Sequence, residues 1–583
     1  MRPTARKVER SQKFRLGPAG PQPEASRFAL AAPFGRTTRI VILGDTGDPH
    51  ARCGAGLRNL PFSAGQPPLE LVRRRPRVQT EFQLGSNLVS IPLDSALDLL
   101  RLQAAGEVTA EQIVAAAFDS IRRTEAEVHA FTHLAEEAAF QTAREVDRKR
   151  SRGEPLGPLA GIPIAIKDVL CTRDMPTTCS SRMLQNFRPP YDATVVRKLR
   201  EADAVLVGKT NMDEFAMGAS TETSALGITR NPWDLTRTPG GSSGGAAAVV
   251  AAGNVPLSLG TDTGGSIRQP AAFCGLTGLK PTYGRCSRFG LIAFASSLDQ
   301  VGPLAWSVVD AALLMNVIGG FDPRDSTSLD LPTTDYLPTA ASADLRGLKV
   351  GVIREAVDHE GLDPAIRDAV REAMTVCREA GAEIIDVQLP HSRFGVPAYY
   401  VVAPCEASSN LSRYDGAHYG YRGEPEANRS AEIGPLAATY CRSRAEGFGP
   451  EVKRRILMGT YALSTGYFDA YYLKALKARR LIRGDYDTAF EQADVLLGPT
   501  TPSPAFRLGE KVDDPIQMYL CDLFTVGANL AGIPALSIPG GTGPDSLPIG
   551  LQLQGPPLGE SQLLRVAAAF QARTDFHRRR PIR

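Results

Sequence analysis

Residues 238–281, TPGGSSGGAAAVVAAGNVPLSLGTDTGGSIRQPAAFCGLTGLKP, constrain this chain more than any other stretch. Glycines packed this densely around hydroxyls mean that the backbone turns through conformations closed to other residues, or that something approaches the main chain closely. Two serines stand out here, Ser242 in GGSSGG and Ser266 in TGGSIR. A nucleophilic serine needs such a setting, and it also needs a base to take its proton. Histidine is the common choice, but none of the 7 histidines falls between Lys167 and Pro281. That lowers the weight of a Ser-His-Asp arrangement without removing it.

Lysine is the alternative base. Lys167 closes the run GIPIAIK, in which residues 162–166 are predicted to form a buried strand that carries the ammonium into a dry site. With a reference pKa of about 10.4, roughly one lysine in a few thousand is neutral at pH 7, so a working base needs its charged form destabilised by about 4 kcal/mol. Desolvation with no adjacent carboxylate supplies that. Asp168 is next in sequence, but neighbours along a strand point to opposite faces.

Three local patterns compete with this reading. GGSSGG satisfies G-x-S-x-G twice, at 240–244 and 241–245. A nucleophile elbow follows an apolar strand, however, and the preceding NPWDLTRTP is polar and broken by proline. Gly208, Lys209 and Thr210 have the end of a phosphate loop, but the position of its first glycine is Asp203. Cys274 lies in AAFCG, an apolar setting that favours packing over nucleophilic attack.

GIPIAIKD, PGGSSGG and GTDTGGSIRQPAAFCGLTGLKPTYGR, in this order and spacing, resemble the amidase signature family. The resemblance implies a Ser-cisSer-Lys triad. Ser266 would attack an amide carbonyl, Ser242, on a cis peptide bond, would relay the proton, and Lys167 would be the terminal base. It also implies an oxyanion hole from the N–H groups of Thr263, Gly264, Gly265 and Ser266, since a glycine turn can aim several donors at one point.

Further segments, among them NMDEFAMGASTETSALGITRNPWD, EGFGPEVKRRILMGTYALSTGYFDAYY and DDPIQMYLCDLFTVGANLAGIPALSIP, resemble one branch of that family. It comprises the glutamine-hydrolysing A subunits of tRNA-dependent amidotransferases. This implies free glutamine as substrate, clamped by Tyr399, Arg455 and Asp522, with Tyr400 and Arg454 as adjacent rivals for two of these roles. Arg455 would hold the α-carboxylate and Asp522 the α-ammonium. The resemblance further implies partner subunits B and C in a heterotrimer. The B subunit would bind mischarged Glu-tRNA(Gln), use ATP and Mg to activate its glutamyl group, and receive ammonia. No cofactor or metal is expected on this chain, and the location is cytoplasmic. The alternatives are a stand-alone amidase on another small amide and a catalytically silent scaffold within a complex.

Composition narrows the class. At 43% hydrophobic and 22% charged, the chain can bury a large core and is neither fibrous nor disordered overall. Its longest apolar stretch, 246–259, is shorter than a bilayer span and interrupted by Gly253, Asn254 and Pro256, so no membrane partner is expected. The 9 cysteines are scattered without a C-x-x-C pair, which fits free thiols better than a disulfide frame or a zinc site.

The formal net charge of +3 comes from a basic, Pro/Gly/Arg-rich extension over residues 1–88. We expect a start-site artefact or a disordered tail there, ahead of an organellar import signal. Arg73, Arg74, Arg75 and Arg77 read as a solvated charge run before they read as an RNA contact.

Beyond it, amphipathic patterns predict helices over 93–105, 109–125 and 364–380, the second opening on a Thr109/Gln112 capping box. Strands are predicted over 162–166, 204–207, 349–353, 383–387, 495–497, 535–538 and 549–553. The fold class is therefore α/β. With the resemblance, this becomes a single amidase-signature domain over 89–583, a large mixed sheet covered by helices on both faces.

Overall fold

The computed structural model describes residues 91–581, so the expectations for residues 1–88 lie outside the described residues. Its strands are β1 (Phe131–Leu134), β2 (Pro163–Lys167), β3 (Val205–Thr210), β4 (Leu257–Asp262), β5 (Thr277–Lys280), β6 (Gln300–Ala305), β7 (Lys349–Ile353), β8 (Glu383–Val387), β9 (Val495–Pro499), β10 (Ala535–Thr542) and β11 (Pro548–Gln554). All belong to one 11-stranded sheet in the order β1-β3-β2-β4-β6-β5-β10-β11-β9-β7-β8. The sheet is mixed. Strand β2 runs parallel to β3 and β4, and β7 runs parallel to β8 and β9. The pairs joining these two blocks are antiparallel.

Alternate side chains of a strand face opposite sides of the sheet, and the cores divide accordingly. Ile164, Ile166 and Leu206 pack into one core with Leu199, Leu313 and Leu314 from the helices Thr194–Glu201 and Val308–Ile318. Ala165, Val205 and Val207 pack into the other with Val114, Phe118 and Val249 from the helices Ala110–Val128 and Gly244–Ala251. Helices thus cover both faces, as predicted.

All seven predicted strands form. Four others, β1, β4, β5 and β6, do not stand out in the sequence. For the last three the reason is composition: LSLGTD, TGLK and QVGPLA carry glycine or proline, which argue for loops, yet every residue of these strands is buried at the centre of the sheet. Cross-strand packing overrides local propensity there. The predicted helices appear as Ala96–Ala104, Ala110–Val128 and Pro364–Glu379. The capping box is formed, with Gln112 N–H donating to Thr109 Oγ1 and Thr109 N–H donating to Gln112 Oε1.

The arrangement gathers distant parts of the chain. Because β2 and β4 are parallel neighbours, Lys167 at the end of β2 and the turn that follows Asp262 leave the sheet at the same edge. The helix Gly244–Ala251 begins just after Ser242 and Ser243 and packs on β4. From the C-terminal half, the helix Gly395–Asn410 carries Tyr399, the helix Pro450–Leu463 packed against it carries Arg455, and the 3-10 turn Leu520–Asp522 carries Asp522. Among the described residues no helix is long and apolar enough to cross a membrane.

Candidate active site

Lys167 is fully buried. Its Nζ lies 2.8 Å from Ser242 Oγ, 2.8 Å from Ser243 Oγ and 2.9 Å from Thr261 Oγ1. These are hydroxyls, which can donate to a neutral amine as readily as they accept from a charged one. Burial lowers the Lys167 pKa to about 7, against a weaker opposing pull from Asp213, Asp262 and Asp299. Asp168 turns away to the opposite side, where it pairs with Lys209 at 3.3 Å. The neutral lysine that the sequence requires is thus produced by desolvation.

Ser242 follows a cis Gly241–Ser242 peptide bond. The loop is pinned on both sides: Gly241 N–H donates to Gln269 Oε1 at 2.9 Å, and Ser242 O accepts from Asp213 N–H at 3.3 Å. Glycine is required at 241 because a Cβ there would fall 2.0 Å from Asp213 Oδ2. Ser243 was not anticipated as part of the site. Its hydroxyl donates to Thr261 O at 3.0 Å while touching Lys167, and its N–H donates to Ser266 O at 3.3 Å, so it ties the two serine segments together.

The turn 263–266 is held by its carbonyls. Gly264 O accepts from Thr525 Oγ1 at 2.6 Å and Gly265 O accepts from Gln269 N–H at 2.8 Å. The N–H groups of Gly264, Gly265 and Ser266 meet no acceptor among the described residues, which leaves them available to an oxyanion. The Thr263 hydroxyl donates to Asp299 Oδ1 at 2.7 Å. Ser266 keeps 7% exposure, and its hydroxyl has no hydrogen-bond partner among the described residues. In particular, no hydrogen bond joins the Ser242 and Ser266 side chains.

Behind the turn, the buried Asp262 and Arg268 form a two-pronged pair, Nε to Oδ2 at 3.0 Å and Nη2 to Oδ1 at 2.9 Å. Burial opposes the Asp262 charge, and the Arg268 guanidinium more than offsets it, holding the carboxyl at about 2. Asp262 Oδ2 also accepts from Ile267 N–H at 3.2 Å. This pair brackets Ser266 from both sides, and it too was missed. TD and SIR lie inside the segment already singled out, but nothing in the sequence says that those two charges meet.

The three residues expected to clamp a substrate converge on the same turn. A Cβ on Gly264 would fall 2.5 Å from Tyr399 Cζ, and one on Gly265 would fall 3.3 Å from Asp522 Oδ1. Tyr400 OH donates to Asp522 Oδ2 at 3.0 Å. Burial raises the Asp522 pKa to about 7. The Arg455 guanidinium carbon lies 5.2 Å from the centre of the Tyr400 ring and 5.5 Å from that of Phe294, and its Nε donates to Glu451 Oε1 at 2.8 Å. Neither of its terminal nitrogens meets an acceptor among the described residues. Of the rivals, Arg454 is excluded by exposure, 43% of its side chain against 3% for Arg455. Tyr400 is buried alongside Tyr399 and contacts Asp522 directly.

The competing patterns have structural explanations. Lys209 is buried in β3 and donates to Leu170 O at 2.8 Å and Thr177 Oγ1 at 2.8 Å, so it holds the loop after β2. No strand leads into GGSSGG, as an elbow would need. Burial pushes the Cys274 thiol up, away from the reactive thiolate. Among the described residues no group of three or more His, Cys, Asp or Glu could hold a metal ion.

Comparison with known proteins agrees with this geometry. A sequence model of the amidase family matches residues 112–564. The chain is 65% identical over 489 residues to the A subunit of the glutamyl-tRNA(Gln) amidotransferase of Rhodopirellula baltica, covering 84% of this chain and 98% of that one. Among solved structures, it is similar to the A subunit of the glutamyl-tRNA(Gln) amidotransferase of Thermotoga maritima, with TM-score 0.66 and 41% identity over 80% of this chain and 93% of that one. The peptide amidase of Stenotrophomonas maltophilia is similar too, with TM-score 0.69 and 32% identity over 84% and 98% of the two chains. This chain belongs to the amidase signature family.

Proposed function

We propose that this chain hydrolyses glutamine as the ammonia-supplying component of a tRNA-dependent amidotransferase. The observation that carries the reading is the convergence of Arg455, Asp522 and Tyr399 on the glycine turn that ends at Ser266. A site with one buried cation and one buried anion fits a substrate bearing both a carboxylate and an ammonium. An amide lacking them leaves those ions unpaired.

The chemistry follows from the distances. Ser266 Oγ attacks the side-chain carbonyl of glutamine and passes its proton to Ser242, whose own proton moves to the neutral Lys167 amine 2.8 Å away. The Ser242–Ser266 contact closes as substrate enters, since catalytic hydrogen bonds tighten in the Michaelis complex. The tetrahedral oxyanion is held by the N–H groups of Thr263, Gly264, Gly265 and Ser266. It collapses as Lys167 returns the proton through Ser242 to the departing nitrogen. Ammonia leaves, a glutamyl ester remains on Ser266, and water then attacks the ester by the same relay in reverse to give glutamate.

The names of the relatives support a complex in which partner subunits B and C complete the enzyme. The B subunit would activate Glu-tRNA(Gln) with ATP and Mg and receive the ammonia to form Gln-tRNA(Gln). No step on the present residues uses ATP or metal. In this reading residues 89–583 form the amidase domain, residues 1–88 are an extension outside it, and the protein works in the cytoplasm.

The test is ammonia release from glutamine by the full chain with and without its partner subunits. Ser266→Ala should abolish it, while transamidation by the assembled complex should survive when ammonium salts replace glutamine. Equal hydrolysis of glutamine and of a plain aliphatic amide by the wild-type protein would instead favour a stand-alone amidase, in line with the name of the Stenotrophomonas relative.

A further inference from the structure

Glu451 opens the helix Pro450–Leu463 one turn before Arg455. An exposed carboxylate–arginine pair at this spacing contributes little. Here both partners are enclosed, with 12% and 3% of their side chains exposed. Glu451 Oε1 accepts two hydrogen bonds, from Arg455 Nε at 2.8 Å and from Tyr519 OH at 2.9 Å. Its second oxygen pairs with Arg454 Nη1. A guanidinium is planar and rigid, so holding Nε fixes the direction in which the two terminal nitrogens point. The rings of Phe294, Tyr400 and Tyr519 lie within 5.5 Å of Arg455 Cζ, but flat apolar faces do not set the rotation of the fork. Glu451 does.

The same carboxylate reaches the other half of the clamp. Tyr519 stacks on Tyr400 with ring centres 3.8 Å apart and planes 18° apart. The Tyr400 hydroxyl in turn donates to Asp522 Oδ2 at 3.0 Å. Glu451 is therefore joined to Arg455 directly and to Asp522 through two tyrosines, while leaving open the Arg455 nitrogens and the Asp522 oxygen that face no protein partner among the described residues.

We propose that Glu451, with Tyr519, is a positioning residue that sets selectivity for amides bearing an α-carboxylate, by aiming the Arg455 fork. The proposal rests on the glutamine reading above. A purely structural role for Glu451 would lower activity on every substrate alike.

Two truncated substrates separate these cases. Glutaramate keeps the carboxylate of glutamine and lacks the ammonium, and γ-aminobutyramide keeps the ammonium and lacks the carboxylate. The quantity to measure is the ratio of kcat/KM for glutaramate over γ-aminobutyramide with the full chain. Glu451→Gln should lower this ratio about tenfold, the scale of one hydrogen bond to a charged group, and act through KM. Tyr519→Phe, which keeps the stacked ring, should lower it in the same direction by about threefold. Should Glu451→Gln fail to fold in a thermal melt, the Tyr519→Phe ratio decides. An unmoved ratio in these variants, while Arg455→Lys still lowers it, overturns the assignment of Glu451 alone. An unmoved ratio in Arg455→Lys as well overturns the glutamine reading on which it rests.

Discussion

Lys167 and Lys209 sit on neighbouring parallel strands, where Lys167 pairs in register with Thr210, and both are fully buried. Their surroundings differ. Lys209 faces the Asp168 carboxylate at 3.3 Å and the carbonyl oxygens of Leu170 and Pro176 at 2.8 and 3.2 Å, groups that only accept hydrogen bonds and so favour a protonated amine. Lys167 faces three hydroxyls and, among the described residues, no carboxylate within salt-bridge distance, and burial takes its pKa to about 7. Burial alone thus does not make a base. Lys280 reinforces the point: burial lowers it to about 7 as well, yet its amine donates to Ile533 O and Pro281 O, with no hydroxyl to relay a proton.

This contrast is open to direct attack. Lys167→Met should lower kcat for glutamine by about a thousandfold or more, the scale of a lost general base, with little change in melting temperature because a buried amine is exchanged for an apolar chain. Lys209→Met should do the reverse. It strands Asp168 as an unpaired buried charge, at a cost of about 3 to 5 kcal/mol in stability, while the folded fraction keeps its turnover. Calorimetry and steady-state ammonia release on the same preparations check both. Similar behaviour of the two variants would erase the distinction.

Arg455 and Arg454 form a second, smaller contrast, between a buried guanidinium facing the turn and an exposed one on the same helix. Arg455→Lys should reduce kcat/KM for glutamine by about thirtyfold, or roughly 2 kcal/mol, since an ammonium does not reproduce the two-pronged contact. Arg454→Ala should change it by less than about threefold.

The pH dependence sharpens the comparison further. Lys167 acts when neutral, so kcat/KM rises with pH through about 7 and is lost as pH falls. Asp522 binds an ammonium when charged, and burial has raised it to about 7 too, so its contribution is lost in the same direction. Glutamine should therefore lose kcat/KM below neutrality with a slope approaching two, and glutaramate, which has no ammonium, with a slope of one. Equal slopes would remove Asp522 from substrate binding.

Much of this site was legible in the sequence because its parts are contiguous. Lys167 ends an unbroken apolar run, and Ser242 and Ser266 lie in glycine contexts that few other functions require. The apolar strands and amphipathic helices were legible for the same reason. What escaped was whatever depends on three-dimensional neighbours. Strands β4, β5 and β6 are glycine- and proline-bearing segments that become strands by being buried between others. The Asp262–Arg268 pair, the bridging Ser243 and the role of Glu451 depend on side-chain direction, which spacing does not encode. Tyr399 and Arg455 came from the family resemblance, and exposure then separated Arg455 from Arg454 in a way that one sequence could not.

The central claim is that Ser266 is acylated by glutamine under the control of Lys167. Brief mixing with glutamine, acid quenching and peptide mass mapping test it most directly. We predict a glutamyl ester on the peptide containing Ser266 in the wild-type protein, absent from Ser266→Ala and from Lys167→Met. An ester on Ser242 or on a cysteine, or undiminished glutamine turnover in Ser266→Ala, would contradict the account.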